Sequence, residues 1–344
     1  MGGSPRGPWR SLLCVAAAVG LGLATAPAYA APAPAPDPSS MVAKVGPTVV
    51  DINTQMGYQS AVGAGTGILL DPSGVVLTNN HVISGATNVT AIAIGNGQTY
   101  DVDVLGYDRS HDVAVVQLRG AVGLPAAELG DSSSVAVGDP VVAMGNAGGQ
   151  GGTPSAVAGH VTALNQTVSA ADELTGSSET LNGMIQADAP IRAGDSGGPM
   201  VNAAGQVIGM NTAASDNYKI PQQGGQGFAI PINQALAIAG QIRSGAASNT
   251  VHIGDTAFLG VGVVDHNGAG ARVERVLANT PAADAGIGMG DVITAVDNAP
   301  VTSATALTDL LDQHHPGDTI ALTWRGQLAG VHTEKVTLAP GPVG

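Results

Sequence analysis

Cysteine is all but absent: Cys14 is the only one in 344 residues. Without a second thiol no intrachain disulfide can form, so packing alone must hold the fold. Aromatic side chains are nearly as scarce, at 3% of the chain with two Phe and two Trp. A core of that composition is built from small aliphatic residues rather than large rings. Basic residues number 12 against 26 acidic ones, a formal net charge of −14. A chain of that sign attracts neither nucleic acid nor anionic lipid, and no nucleic-acid partner is expected. Long apolar runs are missing too, because the one spanning residues 11–25 falls short of the ~20 residues needed to cross a bilayer.

What the chain has in quantity is glycine, 50 residues, with 21 prolines and frequent valine and threonine. That mixture reads as a mainly β, turn-rich chain of two or three domains. Arg6 and Arg10, the apolar run and Ala28-Tyr29-Ala30 together form a secretory signal peptide over residues 1–30, with cleavage expected after Ala30. Cleavage removes two arginines and no acid, taking the charge from −14 to −16, and it removes Cys14. The mature chain is therefore expected to be secreted, to the exterior or the cell envelope, with no membrane anchor. Residues 31–40, Ala-Pro repeats followed by Asp37-Pro38, read as an extended Pro-rich leader.

From residue 41 short β-branched runs alternate with turn chemistry. Runs at 48–52, 67–70, 75–78, 89–94, 100–105 and 113–118 predict one barrel, and a second set at 140–144, 156–164, 183–186, 199–201, 206–210 and 227–230 predicts another. Residues 232–243 carry apolar Ala235, Ile238, Ala239 and Ile242 at helical spacing and close this domain at 243. A small polar linker covers 244–250, and a second domain covers 251–340, with a helix capped by Ser303 and stopped by Pro316-Gly317.

Three blocks carry chemistry. Gly194-Asp195-Ser196-Gly197-Gly198-Pro199 combines a hydroxyl nucleophile with glycines that leave backbone amides free to face a substrate oxygen. Thr78-Asn79-Asn80-His81-Val82 supplies an imidazole, and Asp112, in Asp108-Arg109-Ser110-His111-Asp112-Val113, supplies a carboxylate at the mouth of a strand. A serine hydroxyl needs a base to take its proton and a carboxylate to orient that base, so His81, Asp112 and Ser196 are the candidate catalytic residues. The pentamer 194–198 also fits G-x-S-x-G, but the hairpin pattern after Ser196 lacks the strand-to-helix context of that motif. His81 is preferred as base over His111, which adjoins Asp112 along a strand and should face the other side of the sheet. His160, His252, His266, His332 and the pair His314-His315 lack ligand spacing, read as surface or linker residues, and suggest no metal site. Gly63-Ala64-Gly65-Thr66-Gly67 reads as a strand entry, and the glycine-rich stretch 145–152, lacking Gly-Lys-Ser/Thr, as an inter-strand loop with no nucleotide site.

These three blocks, followed by Phe258-Leu259-Gly260-Val261, resemble the HtrA/DegP group of trypsin-like proteases with a C-terminal PDZ domain, most closely its secreted actinobacterial PepA-type members. The resemblance implies a chymotrypsin-like double β-barrel followed by one PDZ domain. It also implies a cofactor-free serine endopeptidase acting on unfolded proteins and peptides, in which the amides of Gly194 and Ser196 form an oxyanion hole. By the same resemblance Pro190, Ile191 and Ala214 shape an uncharged S1 pocket for small aliphatic residues. The loops 170–179 and 215–226 would gate it, and the loop Phe258, Leu259, Gly260, Val261 would hold the carboxylate of a hydrophobic C-terminus. Asp195 stands where this group usually has asparagine, and its partner is open, with Arg192 a candidate. A homotrimer is the implied assembly, although Tyr58 is the only aromatic in residues 31–60. The alternative is an exported chaperone or peptide-binding protein with little proteolytic activity, which the presence of all three chemical residues argues against.

Overall fold

The computed structural model describes residues 1–2, 34–58, 60–146, 151–172, 178–212, 218–219, 226–327 and 330–344. All but the first two residues of the expected signal segment, most of the gating loops, residues 147–150 and Ala214 lie outside these residues. Everything described below belongs to the compact unit Ala33–Gly344.

Helix α1 (Pro38–Val45) starts inside the stretch that composition marks as an extended leader. The Asp37 carboxylate accepts the Ser40 amide at 3.0 Å, and Pro38 occupies the first turn, where its missing N–H costs nothing. The first sheet comprises β1 (Val49–Met56), β2 (Ala61–Leu69), β3 (Val75–Thr78), β4 (Asn88–Ala93), β5 (Gln98–Asp108) and β6 (Val113–Leu118), and the pairing of β5 with β6 closes it into a barrel. Helix α2 (Asn80–Ile83) is a single turn between β3 and β4. The second sheet runs through β7 (Pro140–Gly145), β8 (Ser155–Asp172), β9 (Ser178–Ala187), β10 (Pro199–Asn202), β11 (Val207–Thr212), the short β12 (Tyr218–Lys219) and β13 (Gly227–Pro231), and closes through β8 with β9. The barrel cores are mostly Val, Ile, Leu, Ala and Met, as the aromatic-poor composition requires, with Tyr107 and Phe228 as their buried aromatic members. Helix α3 (Ile232–Arg243) buries Ala235, Ile238, Ala239 and Ile242, the stripe read from the sequence.

Beyond α3 the chain returns to the first barrel. Strand β14 (Val251–Ile253) pairs antiparallel with Gly106–Asp108 of β5. The second fold begins with β15 (Ala257–Phe258) and β16 (Val261–Asp265), and continues with β17 (Ala271–Val276), α4 (Pro281–Asp284), β18 (Val292–Val296), β19 (Ala299–Pro300), α5 (Ala304–Leu311), β20 (Thr319–Arg325), β21 (Val331–Thr337) and β22 (Ala339–Pro340). Its main sheet has the order β16-β17-β18-β20-β21, and β15 pairs with β22. Ser303 accepts the Ala306 amide at 3.0 Å and so caps α5.

His252 departs from its expected surface or linker position. It is 3% exposed and stacks between Tyr107 and His315 at 5.0 Å from each ring. Its ring nitrogens bond the carbonyls of Asp312 and Asp255. The cause is β14: once that strand joins β5, the histidine is covered by the segment that follows α5. Among the described residues no helix is long and apolar enough to cross a membrane.

Candidate active site

Asp112 precedes β6 and has a left-handed backbone, φ 54° and ψ 45°. Aspartate tolerates that region better than most residues. Asp108 builds the turn before it by accepting the His111 amide at 3.1 Å and the Ser110 hydroxyl at 2.7 Å. Residues Arg109–His111 therefore form a 3₁₀ turn, and the strand alternation invoked for His111 does not apply to them. His111 is no free surface residue either: its Nδ1 lies 2.8 Å from the buried Asp108 carboxylate, and that hydrogen bond raises its pKa above the ordinary imidazole value.

The turn delivers the Asp112 carboxylate, fully buried, to helix α2. His81 Nδ1 lies 2.9 Å from Oδ2 and 3.0 Å from Oδ1, and the His81 amide donates to Oδ1 at 3.0 Å. Thr212, on β11 of the other barrel, donates its hydroxyl to Oδ2 at 2.8 Å. Asn79 donates its side-chain amide to the Asp112 carbonyl at 2.9 Å. With Nδ1–H pointed at the carboxylate, the other ring nitrogen, Nε2, is left as the basic one.

Ser196 is 3% exposed and sits in the turn before β10. Gly194 and Gly197 adopt φ 90° and 83°, angles that strain any residue with a Cβ. A Cβ on Gly197 would also overlap the Thr66 carbonyl oxygen, and one on Gly198 the Met144 carbonyl oxygen. The glycines of the hexamer are thus dictated by how closely the turn lies against β2 and β7. Asp195 is held by the Arg192 backbone amide at 2.9 Å and the Ser155 hydroxyl at 3.3 Å, while the Arg192 side chain is exposed. Burial raises the Asp195 pKa against those hydrogen bonds.

Of the residues nominated for the S1 pocket, Pro190 is exposed, Ile191 is buried in the second barrel and would touch any side chain at Gly227, and Ala214 lies outside the described residues. In the second fold Gly260 has φ 88° and abuts Thr280. The carbonyls of Leu259 and Gly260 accept the amides of Ala282 and Leu277, both at 2.9 Å. Leu259, Gly260 and Val261 line a groove with Leu307 and Leu311 of α5. Phe258 lines the same groove and stacks on Tyr58 at 5.2 Å. Tyr58, the aromatic considered for assembly, is thus engaged within its own chain. Among the described residues no group of three or more His, Cys, Asp or Glu side chains gathers as metal ligands do.

Four residues of this site escape motif reading: Thr66, Asn79, Asn146 and Thr212. Asn79 at least lies within the histidine block. Thr212 ends β11, and Asn146, just after β7 in the glycine-rich stretch 145–152, donates its amide to Thr66 Oγ1 at 3.0 Å; only tertiary structure brings them to the site.

Residues 65–210 match the trypsin-like peptidase domain family, and residues 257–326 match the PDZ domain family. The serine protease PepD of Mycobacterium tuberculosis is 39% identical over 313 residues, which cover 87% of this chain and 65% of PepD. The serine protease Do-like HtrA of Lactobacillus helveticus is 31% identical over 288 residues, 79% of this chain and 67% of that protein. A solved structure of an HtrA-type protease, AlgW with tripeptide, aligns with a TM-score of 0.51 and 28% identity over 89% of this chain and 97% of that one. Two closed barrels followed by a PDZ fold define the class, a trypsin-like peptidase carrying a PDZ domain. The chain belongs to the HtrA/DegP family of serine proteases. It spans a little under two thirds of the length of PepD, at 65%.

Proposed function

We propose that this chain is a secreted serine endopeptidase that cleaves unfolded proteins through His81, Asp112 and Ser196. The observation that carries the reading is the Asp112 carboxylate, which receives His81 Nδ1 at 2.9 Å and Thr212 at 2.8 Å in the domain that presents the Ser196 turn. Ser196 Oγ attacks the peptide carbonyl while His81 Nε2 takes its proton, and Asp112 stabilises the imidazolium that forms. The amides of Gly194 and Ser196 receive the oxyanion, each such donor contributing about 3 kcal/mol. His81 then protonates the leaving amine, and water hydrolyses the acyl-enzyme by the same proton transfers in reverse roles. Pro190, Ile191 and Ala214 supply no charge to S1, which favours small aliphatic residues before the cut bond. The PDZ groove beside Leu259 and Gly260 takes hydrophobic C-termini, the peptide adding a strand to β16. Residues 1–30 direct export.

The test compares the wild-type chain with Ser196→Ala. The variant should lose casein cleavage and fluorophosphonate labelling and keep its thermal unfolding transition. It should also bind a peptide ending in a free hydrophobic residue more tightly than the same peptide amidated. Undiminished proteolysis in the variant would sink the assignment.

A further inference from the structure

We infer that Thr66 is a positioning residue for the oxyanion-stabilising turn: its hydroxyl holds Gly194 in the orientation that the reaction at Ser196 requires. The inference rests on the protease reading above. Thr66 stands in the middle of β2, inside the Gly-Ala-Gly-Thr-Gly segment that reads as a strand entry but forms the interior of the strand, and is fully buried. Its Oγ1 lies 2.7 Å from the Gly194 carbonyl, 128 positions away in sequence, and 3.0 Å from the Asn146 amide. The Asn146 N–H can only donate, so the single hydroxyl proton of Thr66 is available for the Gly194 carbonyl. The Thr66 amide donates to the Ser196 carbonyl at 2.8 Å, and its carbonyl accepts the Thr78 hydroxyl at 2.7 Å. One residue of the first barrel therefore grips the nucleophile turn of the second at both Gly194 and Ser196.

Gly194 needs such a grip. At φ 90° and without a side chain, its backbone has no Cβ to restrict it, and its amide is one of the two proposed oxyanion donors. The bond from Asp195 N–H to the Arg192 carbonyl, 3.0 Å, and the bond from Thr66 together fix the peptide plane between Gly194 and Asp195, which the Gly194 Cα joins to the plane carrying the Gly194 N–H. Packing alone does not ask for a hydroxyl here, because valine has the same shape. The hydroxyl is in turn set by its second partner. Asn146 is tied through its side chain to the buried Asp51 carboxylate at 3.0 Å, and the same oxygen takes the Gly151 amide at 2.7 Å. Asp51 is the direct β-ladder partner of Thr66, so the whole relay is anchored on one rung of the first barrel.

An oxyanion donor acts on charge that exists only in the transition state, so losing its alignment lowers kcat and leaves KM nearly unchanged. The experiment uses the full chain and a chromogenic peptide with an aliphatic residue before the scissile bond. Thr66→Val should lower kcat at least tenfold with KM within about twofold, slow fluorophosphonate labelling in proportion, and retain cooperative unfolding. Thr66→Ser, which keeps the donor, should recover kcat to within about threefold of wild type. Asn146→Ala, which cuts the tether to Asp51 at a half-buried site and keeps the chain folded if Thr66→Val does not, should lower kcat several-fold at constant KM. Wild-type kcat in Thr66→Val or Asn146→Ala, or a serine variant no better than the valine one, overturns the inference. Ser196→Ala separates the two levels. If hydrolysis does not depend on Ser196, the protease reading fails and this inference falls with it. If hydrolysis depends on Ser196 and ignores Thr66, only the inference fails.

Discussion

Tyr107 donates its phenolic hydroxyl to the Asp312 carboxylate at 2.9 Å, across 205 positions of sequence. Arg109 reaches the other oxygen of the same carboxylate at 2.8 Å, with side-chain exposures of 7% for the arginine and 18% for the aspartate. Tyr107 precedes the turn that ends in Asp112 and Arg109 opens it, and Asp312 caps α5 beside the PDZ groove. Burial and the Asp312 charge push the Tyr107 phenol well above its ordinary pKa, which keeps it a donor at every physiological pH.

Replacing Asp312 by alanine should therefore destabilise the chain by about 3 kcal/mol, because it strips a shared acceptor from two largely buried donors. Urea unfolding measures it, and hydrogen exchange at β14 should quicken. Asp103→Ala is the control. That residue pairs with Arg119 at side-chain exposures of 47% and 59%, where solvent screening should leave stability nearly unchanged when the ion pair is lost. Equal effects of the two substitutions would contradict the role given to Asp312.

Thr212→Val removes the hydroxyl that reaches Asp112 from the second barrel. A hydrogen bond to a charged group contributes about 1.5–3 kcal/mol, so kcat/KM should fall at least tenfold. Thr212→Ser should restore most of it. The measurement is steady-state hydrolysis of an aliphatic peptide substrate, and a valine variant as active as wild type would remove Thr212 from the site.

Asp51 makes stability depend on pH. Burial pushes its carboxyl up to about 6, against hydrogen bonds from Gly151 and Asn146 that pull it down. A carboxyl whose folded pKa lies above its unfolded value binds its proton more tightly in the native state. Stability contributed by the protonated form is thus full below about pH 4 and is lost as pH rises through about 6, on the order of 3 kcal/mol in all. Asp51→Asn should raise Tm at pH 8 and leave it nearly unchanged at pH 4. A Tm difference independent of pH would refute this account.

Much of the architecture is legible in the residues because it is local. The stripe at Ala235, Ile238, Ala239 and Ile242 defines α3, and β-branched runs separated by Gly, Asn and Asp mark the barrel strands, although β8 and β5 extend well beyond their apolar centres. Polar Gln166 of β8 still pairs with Met184, between two register irregularities, because the ladder bonds backbone rather than side chains. Motif spacing nominates His81, Asp112 and Ser196, but it carries no signal for Thr66 or Thr212. Each of those is a threonine in a threonine-rich β chain, and its use depends on which barrel faces it. His252 misleads for the same reason, since nothing local tells a histidine in a polar stretch that a ring will stack on either side of it.

Strand β14 also has a meaning for anyone dividing the chain. A cut between Arg243 and Val251, where composition places the boundary, would carry Val251–Ile253 away with the C-terminal piece and leave Gly106–Asp108 with open ladder positions. The severed protease half would present a sticky rim of unpaired amides and carbonyls, and the severed PDZ half would keep His252 on His315 and the Asp312 carbonyl while its strand lost its ladder partner. A break just after Gly254 lets the first barrel keep its rim covered. The connector is in this sense a borrowed piece of upholstery, sewn to one half and sold by its sequence position as part of the other.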